Sequence, residues 1–149
     1  MPSQDASHLF GQDHVRSYQE TDGEIGHDWK GTSTLLLTTI GRRSGELRTT
    51  PLIYGQRGDD YLVVASNDGS DMLPGWYFNL TEHPEVTVQV RGDRFTARAR
   101  TATADEKPEL WQEMLGRFAG YEDYQRTAKR ELPVVVLERQ ASDGAVGRD

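Results

Sequence analysis

Six short runs of apolar and β-branched residues limit this chain more than any other feature. They are Ser33–Ile40 (STLLLTTI), Leu47–Tyr54 (LRTTPLIY), Tyr61–Ser66 (YLVVAS), Val86–Val90 (VTVQV), Phe95–Thr101 (FTARART) and Pro133–Leu137 (PVVVL). Runs of this length and composition, bounded by glycine, proline and polar residues, read as strands. The links GRRSGE, GQRGDD and RGDR are too short for the crossover that parallel pairing needs. The first three strands are therefore expected to form an antiparallel meander, and the fourth and fifth a hairpin. Pro51 has no N–H to donate, which places its strand at an edge or a bulge. In the hairpin, Arg94, Arg98 and Arg100 alternate with Phe95, Ala97 and Ala99, so the arginines are expected on a solvent face, with a second anion patch as the alternative.

Helices fill the gaps. Pro74 suits a helix start, Trp76, Tyr77 and Leu80 share a face, and His83-Pro84 ends it. Thr103 and Glu106 have capping-box spacing, with Asp105 as the other candidate cap, ahead of an apolar face of Leu110, Trp111, Met114, Leu115 and Phe118. Gly120 breaks that helix, and Tyr121–Arg130 reads as a shorter one. Leu9, Phe10, Val15 and Tyr18 make a weak stripe that Thr21-Asp22-Gly23 stops. The expected organisation is a polar segment or short helix over 1–21, one domain over 22–139 and a disordered tail over 140–149. Six strands with two or three helices, one of them long, make an α+β domain on an antiparallel barrel.

Composition removes several classes of function. The 149 residues include no cysteine, so disulfides, cysteine-ligated zinc and iron–sulfur clusters are excluded. No apolar run reaches the ~18 residues of a membrane span, and the N-terminus lacks the apolar core of a signal peptide, so a cytoplasmic location is expected. A net charge of −7 and a pI near 5.1 disfavour nucleic-acid binding. There is no G-x-G-x-x-G, Walker A loop or G-x-S-x-G elbow. His8, His14, His27 and His83 show no metal-binding spacing; they read as surface or turn residues, and no metal is expected.

Three features remain. Arg42, Arg43 and Arg48 surround the Ser44-Gly45 turn in an otherwise acidic chain. Guanidinium forks and turn amides suit a phosphate or carboxylate, although a solvated hairpin tip has the same look. Ser66 ends a strand ahead of the small polar loop Asn67-Asp68-Gly69-Ser70, whose amides could face a heterocycle edge or a phosphate. Trp76 could cover a flat ring or simply be core. Tyr121 and Tyr124 lie three apart on one helical face, where phenols could meet a carbonyl gaining negative charge or could merely pack over the barrel mouth.

Their order along the chain is more specific than any one of them. GRRSGELRTTPL, then ASNDG, then PGWYFNL, then YEDY before PVVV resembles the deazaflavin (coenzyme F420)-dependent nitroreductase family of actinobacteria, over roughly residues 22 to 138. The resemblance implies a split β-barrel of the flavin-reductase, FMN-binding type with flanking helices. It implies that Arg42, Arg43, Ser44 and Arg48 bind the coenzyme's phosphate and polyglutamate tail, and that Thr49, Thr50, Pro51, Leu52 and Ile53 continue that wall. Val64, Ala65, Ser66 and Asn67 would lie along the deazaflavin ring, and Gly75, Trp76, Tyr77, Phe78 and Asn79 would close the site. Tyr121, Tyr124 and Ser66 would face the substrate, with Tyr121 and Ser66 hydrogen-bonding the acceptor and the proton coming from Tyr124 or water. Two departures stand out: well-known members have a lysine at Asn67 and an aromatic at Ile53. The implied reaction is hydride transfer from the reduced coenzyme to a small-molecule quinone, enone or nitroaromatic. An FMN-dependent oxidoreductase on the same barrel, a non-catalytic deazaflavin-binding protein and a bare structural domain are the alternatives. Nothing in the sequence decides between monomer and homodimer or excludes peripheral membrane association.

Overall fold

The computed structural model of the chain describes residues 11–29 and 31–140, without the side chain of Asp68. Leu9 and Phe10 of the N-terminal stripe, His8 and the tail from 141 onward lie outside the described residues. The elements in order are α1 (Gly11–Thr21), β1 (Asp28–Trp29), β2 (Thr32–Ile40), β3 (Leu47–Ile53), β4 (Gly55–Arg57), β5 (Asp60–Val64), a 3₁₀ turn (Asn67–Gly69), α2 (Gly75–Glu82), β6 (Glu85–Val90), β7 (Asp93–Thr101), α3 (Lys107–Arg117), α4 (Gly120–Thr127) and β8 (Val134–Arg139). All six expected strands form. The two extra ones, β1 and β4, are too short to leave a pattern in the sequence.

Strand alternation divides the core. Leu35 and Leu37 of β2, Tyr61 and Val63 of β5, Val86 and Val88 of β6, Ala97 and Ala99 of β7, and Val135 and Leu137 of β8 fill the barrel. Leu62, Val64, Val134 and Val136 face the other way and pack under α3 and α4, against Leu110, Met114 and Tyr121. Leu36 turns outward onto Val15 and Tyr18 of α1. β2, β5 and β8 are covered on both faces, which is why they read as unbroken apolar runs. On β7 only the inner face is apolar, and Arg94, Arg98 and Arg100 point outward as alternation requires.

The strand order is β1-β2-β6-β7-β8-β5-β4, with β3 on the other side of β2, all pairs antiparallel. β3 and β4 are one stretch of chain bent at Tyr54. The first part pairs with β2, from Ile40↔Leu47 to Thr34↔Ile53, and the second with β5, from Gly55↔Leu62 to Arg57↔Asp60. That bend closes the barrel and corrects the expected meander: β5 pairs with β4 and β8, not with β3. The Tyr54 ring is buried and its N–H still reaches the Ser33 carbonyl at 3.1 Å, after which the chain leaves the β2 edge. At Gly55 a Cβ would stand 2.8 Å from Met114 Sδ and 3.1 Å from Glu113 Oε2, so a side chain there would have to displace those two side chains of α3. Pro51 does sit on an edge strand, since β3 pairs only with β2.

The helix ends also follow local chemistry. The Thr103 N–H donates to Glu106 Oε2 at 2.8 Å and the Glu106 N–H to Thr103 Oγ1 at 3.3 Å, the reciprocal bonds expected from their spacing. α4 stops at Thr127 instead of Arg130 because the Lys129 N–H donates to Asp71 Oδ1 at 2.7 Å rather than to a helix carbonyl.

Candidate active site

The strand registers give the barrel two ends. One carries the β2–β3 turn, the start of β6, the end of β7, the start of β8 and the end of β5. Most of the residues singled out from the sequence collect there.

The β2–β3 turn is tightly drawn. The Gly45 N–H donates to the Gly41 carbonyl at 2.8 Å, the Gly41 N–H to the Glu46 carbonyl at 2.7 Å, and the Glu46 N–H to Ser44 Oγ at 3.0 Å. Gly45 has φ +76°, a value that costs a β-substituted residue. The turn is fastened to α2 through one side chain. Asn79 Oδ1 accepts the Arg42 N–H at 3.0 Å, while its Nδ2 donates to Thr39 Oγ1 at 3.1 Å. The Arg42 guanidinium lies 4.6 Å from the centre of the Phe78 ring. Arg48 approaches Glu46 at only 3.9 Å with both exposed, and Arg43 meets no carboxylate among the described residues. Three guanidinium groups thus share one loose counter-charge, an arrangement that suits a polyanion. Behind the turn, Thr49 Oγ1 is 2.8 Å from Thr38 Oγ1, and Thr50, Pro51, Leu52 and Ile53 continue along the edge strand, half-buried.

From Pro74, α2 runs along the same end. No atom lies within 4 Å of where a Cβ on Gly75 would stand. Trp76 is buried in the barrel core with Ala65, so it is a core residue whose neighbours include the β5 end. The Tyr77 hydroxyl and Thr101 Oγ1 are 2.7 Å apart.

Val64 and Ala65 are buried, and the chain surfaces at Ser66. Asn67 has φ +47° and its Nδ2 donates to the Met72 carbonyl at 2.9 Å. α4 lies against this turn: a Cβ on Gly69 would stand 2.8 Å from Thr127 Oγ1. On α4, Tyr124 is half-buried. Tyr121 is only 4% exposed, with its ring 5.0 Å from Phe118 and 6.3 Å from both Trp111 and Tyr124. The Tyr121 hydroxyl has no hydrogen-bond partner among the described residues. Burial, and secondarily Tyr124, raise its pKa well above the ordinary phenol value. A buried hydroxyl without a partner costs about 1–3 kcal/mol.

Two residue sets escaped sequence reasoning. Arg130, a lone arginine after a short helix, donates to the carbonyls of Ala65, Ser66, Asp71, Met72 and Glu131. The histidines expected at surfaces or turns are in part buried: His14 is 2% and His27 7% exposed. Both belong to the opposite end of the barrel, where α1 covers the start of β2. No metal-type spacing marks either, because His14 bonds a backbone carbonyl and His27 bonds its neighbour Asp28 and the distant Tyr54.

Comparison with known proteins now decides what the Arg turn and its neighbours belong to. Residues 10–139 match the family described as F420H(2)-dependent quinone reductase. The chain belongs to this family. An F420H(2)-dependent quinone reductase of Mycobacterium tuberculosis is 40% identical over 131 residues, covering 85% of this chain and 88% of that protein. A solved F420-H2 dependent reductase, FDR-A, superposes with a TM-score of 0.66 at 32% identity, covering 70% of this chain and 93% of that one. A second solved structure, described as a domain-swapped dimer, has a TM-score of 0.69 at 31% identity, covering 85% of this chain and 98% of its own. Membership makes the chain an oxidoreductase that works with coenzyme F420 on a split barrel; the alternative of an FMN enzyme finds no support. The family's description speaks of quinones, where the motifs alone resembled deazaflavin nitroreductases. Among the described residues, no helix is long and apolar enough to cross a membrane.

Proposed function

We propose that the chain passes hydride from reduced coenzyme F420 to a small electron-poor acceptor, a quinone first and an enone or nitroaromatic by the same chemistry. The observation that carries this reading is the Asn79 bridge, which locks the arginine turn and α2 into one wall. When bound, the reduced deazaflavin supplies a hydride from its carbon 5. Every other task falls to the protein.

Arg42, Arg43 and Arg48 would hold the phosphate and acidic tail, with Ser44 and the turn amides beside them. Thr49, Thr50, Pro51, Leu52 and Ile53 would line the length of the coenzyme, and Gly75, Trp76, Tyr77, Phe78 and Asn79 would close over it. Val64 and Ala65, with Ser66 and Asn67 at the surface, would border the ring. The open space at Gly75 and Arg43, which meets no carboxylate among the described residues, fit such a ligand. Ser66 and the two tyrosines would meet the acceptor. The orphaned Tyr121 hydroxyl supports that role, since an acceptor oxygen would satisfy it. Its burial means α4 must yield for the acceptor to reach it. Tyr124, nearer the surface, would hold or relay the proton. The proposal keeps the cytoplasmic location expected from the sequence.

The reading is tested by mixing the protein with reduced coenzyme F420 and a water-soluble quinone and following the return of the oxidised coenzyme's fluorescence. Catalysed return that depends on both protein and quinone is expected. Tight coenzyme binding without oxidation by any quinone, enone or nitroaromatic would make the protein a carrier.

A further inference from the structure

The loop after β5 turns sharply. Asn67 (φ +47°) and Gly69 (φ +81°) both occupy the left-handed region, which asparagine and glycine tolerate best, and a side chain from outside the loop bonds it in place. The holder is Arg130. Its Nη1 donates to the Ala65 carbonyl at 3.2 Å, its Nη2 to Ser66 at 3.3 Å and Met72 at 3.1 Å, and its Nε to Asp71 at 3.2 Å. The same strand of chain grips the loop a second time, because the Lys129 N–H donates to Asp71 Oδ1 at 2.7 Å. No carboxylate among the described residues pairs with Arg130, so its charge is met by backbone carbonyls alone.

That grip has a consequence on the far side of the peptides. A peptide C=O and the N–H that follows point in opposite directions. With the Ala65 and Ser66 carbonyls turned onto Arg130, the Ser66 and Asn67 N–H groups turn away from it. Neither has a hydrogen-bond partner among the described residues. Two adjacent amides aimed outward, with a guanidinium charge behind them, form a site for an anionic or carbonyl oxygen.

We infer that Arg130 is a positioning residue: it sets the Ala65–Met72 loop so that the Ser66 and Asn67 amides meet an oxygen of the bound deazaflavin coenzyme. The inference rests on the cofactor reading above. Arg130 itself touches no ligand. It acts through the loop, and it ties that loop to the chain leaving α4, so the coenzyme side and the tyrosine side of the site are held by one side chain. Lysine cannot replace it, because an ammonium is a point donor and cannot span four carbonyls.

The test uses the full chain with Arg130→Lys and Arg130→Ala. Hydrogen–deuterium exchange reports the loop without any ligand, and fluorescence titration with oxidised coenzyme F420 reports the site. Exchange over residues 65–72 is expected to rise while β2, β6 and β7 stay protected, which also shows that the barrel is folded. The coenzyme Kd is expected to rise about tenfold, the loss of roughly one charge-assisted contact, in both variants. KM for the coenzyme should rise more than kcat falls, and guanidinium ion, but not sodium chloride, should recover part of the affinity of Arg130→Ala. An unchanged Kd, an unchanged loop exchange or equal recovery by both salts would overturn the inference. If the unaltered protein fails to bind the coenzyme, the cofactor reading falls and the target of the amides falls with it. Intact binding by the unaltered protein together with unaffected Arg130 variants overturns this inference alone.

Discussion

At the end of the barrel covered by α1, buried polar side chains have partners. Tyr18 donates to the Thr34 carbonyl at 3.0 Å and accepts the Arg91 N–H at 2.8 Å. His14 Nε2 reaches the Gly26 carbonyl at 2.8 Å. His27 lies between Asp28 and Tyr54, 2.9 Å from each, so a neutral ring donates from Nδ1 and accepts at Nε2. At the other end, among the described residues, the exposed Arg43 meets no carboxylate, the amides of Ser66 and Asn67 meet no acceptor, and the Tyr121 hydroxyl is buried without a partner. A buried polar group with a partner holds the fold together, and a buried one without a partner calls for an explanation, which the proposed site supplies for Tyr121. The contrast runs between the two ends rather than between residue types: His14 and His27 are bonded within the fold, while the site proposed at the other end draws on Arg42, Arg43, Arg48 and Tyr121.

The contrast can be broken by substitution. The largest effect is expected from Arg42→Glu with Arg43→Glu, which should weaken coenzyme F420 binding by at least 1.5–3 kcal/mol, about one charge-assisted contact or more, while Tm stays unchanged. Arg43→Glu alone should give the lower part of that loss in a fluorescence titration. An unaltered Kd would mean the turn is only a solvated tip. Tyr18→Phe should do the reverse. It strands the Arg91 N–H and should lower stability by about 1–3 kcal/mol in urea, with coenzyme affinity intact.

Tyr121→Phe is expected to be the smaller and more telling change. It removes a hydroxyl that gains nothing in the folded chain, so stability should hold or rise slightly. Turnover should fall more than coenzyme affinity. A clear loss of stability would show that the hydroxyl is bonded after all, and unchanged turnover would remove Tyr121 from the acceptor's surroundings.

The smallest effect concerns pH. Burial lowers the pKa of His14 and His27 below 6.5, outweighing the raising effect of the Gly26 carbonyl on the first and of Asp28 on the second. Both rings therefore take up a proton less readily in the folded chain than in the unfolded one. Their contribution is complete above about pH 6.5 and is lost as the pH falls from there toward the lowered values, because the unfolded chain takes up the protons first. Glu106 acts in a different window: Arg100 holds its pKa at about 2, so its contribution persists down to about pH 4.5 and is lost below. A Tm that declines as the pH falls below about 6.5, and declines less in His27→Gln, is the expected result.

Much of this was legible in the sequence, for physical reasons that vary by element. The six strands were readable because two-sided burial makes β2, β5 and β8 continuous and one-sided burial makes β6 and β7 alternate. The Thr103–Glu106 box was readable because it is local. The barrel closure was not, since the bend at Tyr54 joins a stretch paired with β2 to one paired with β5, and those partners are set by pairing across the whole sheet. In the site, GRRSGELR and PGWYFNL were readable as segments, but their joining through Asn79 was not. Arg130 was invisible because its partners are all carbonyls, which every residue has.

The central claim is that the arginine turn and α2 form one wall for a deazaflavin coenzyme. The direct measurement is parallel fluorescence titration of the protein with oxidised coenzyme F420 and with flavin mononucleotide, repeated on Arg42→Glu with Arg43→Glu. The account predicts tight binding of the deazaflavin, weak or no binding of the flavin, and loss of the former in the double variant. Equal affinity for both cofactors, or deazaflavin binding that the double variant leaves intact, would contradict it.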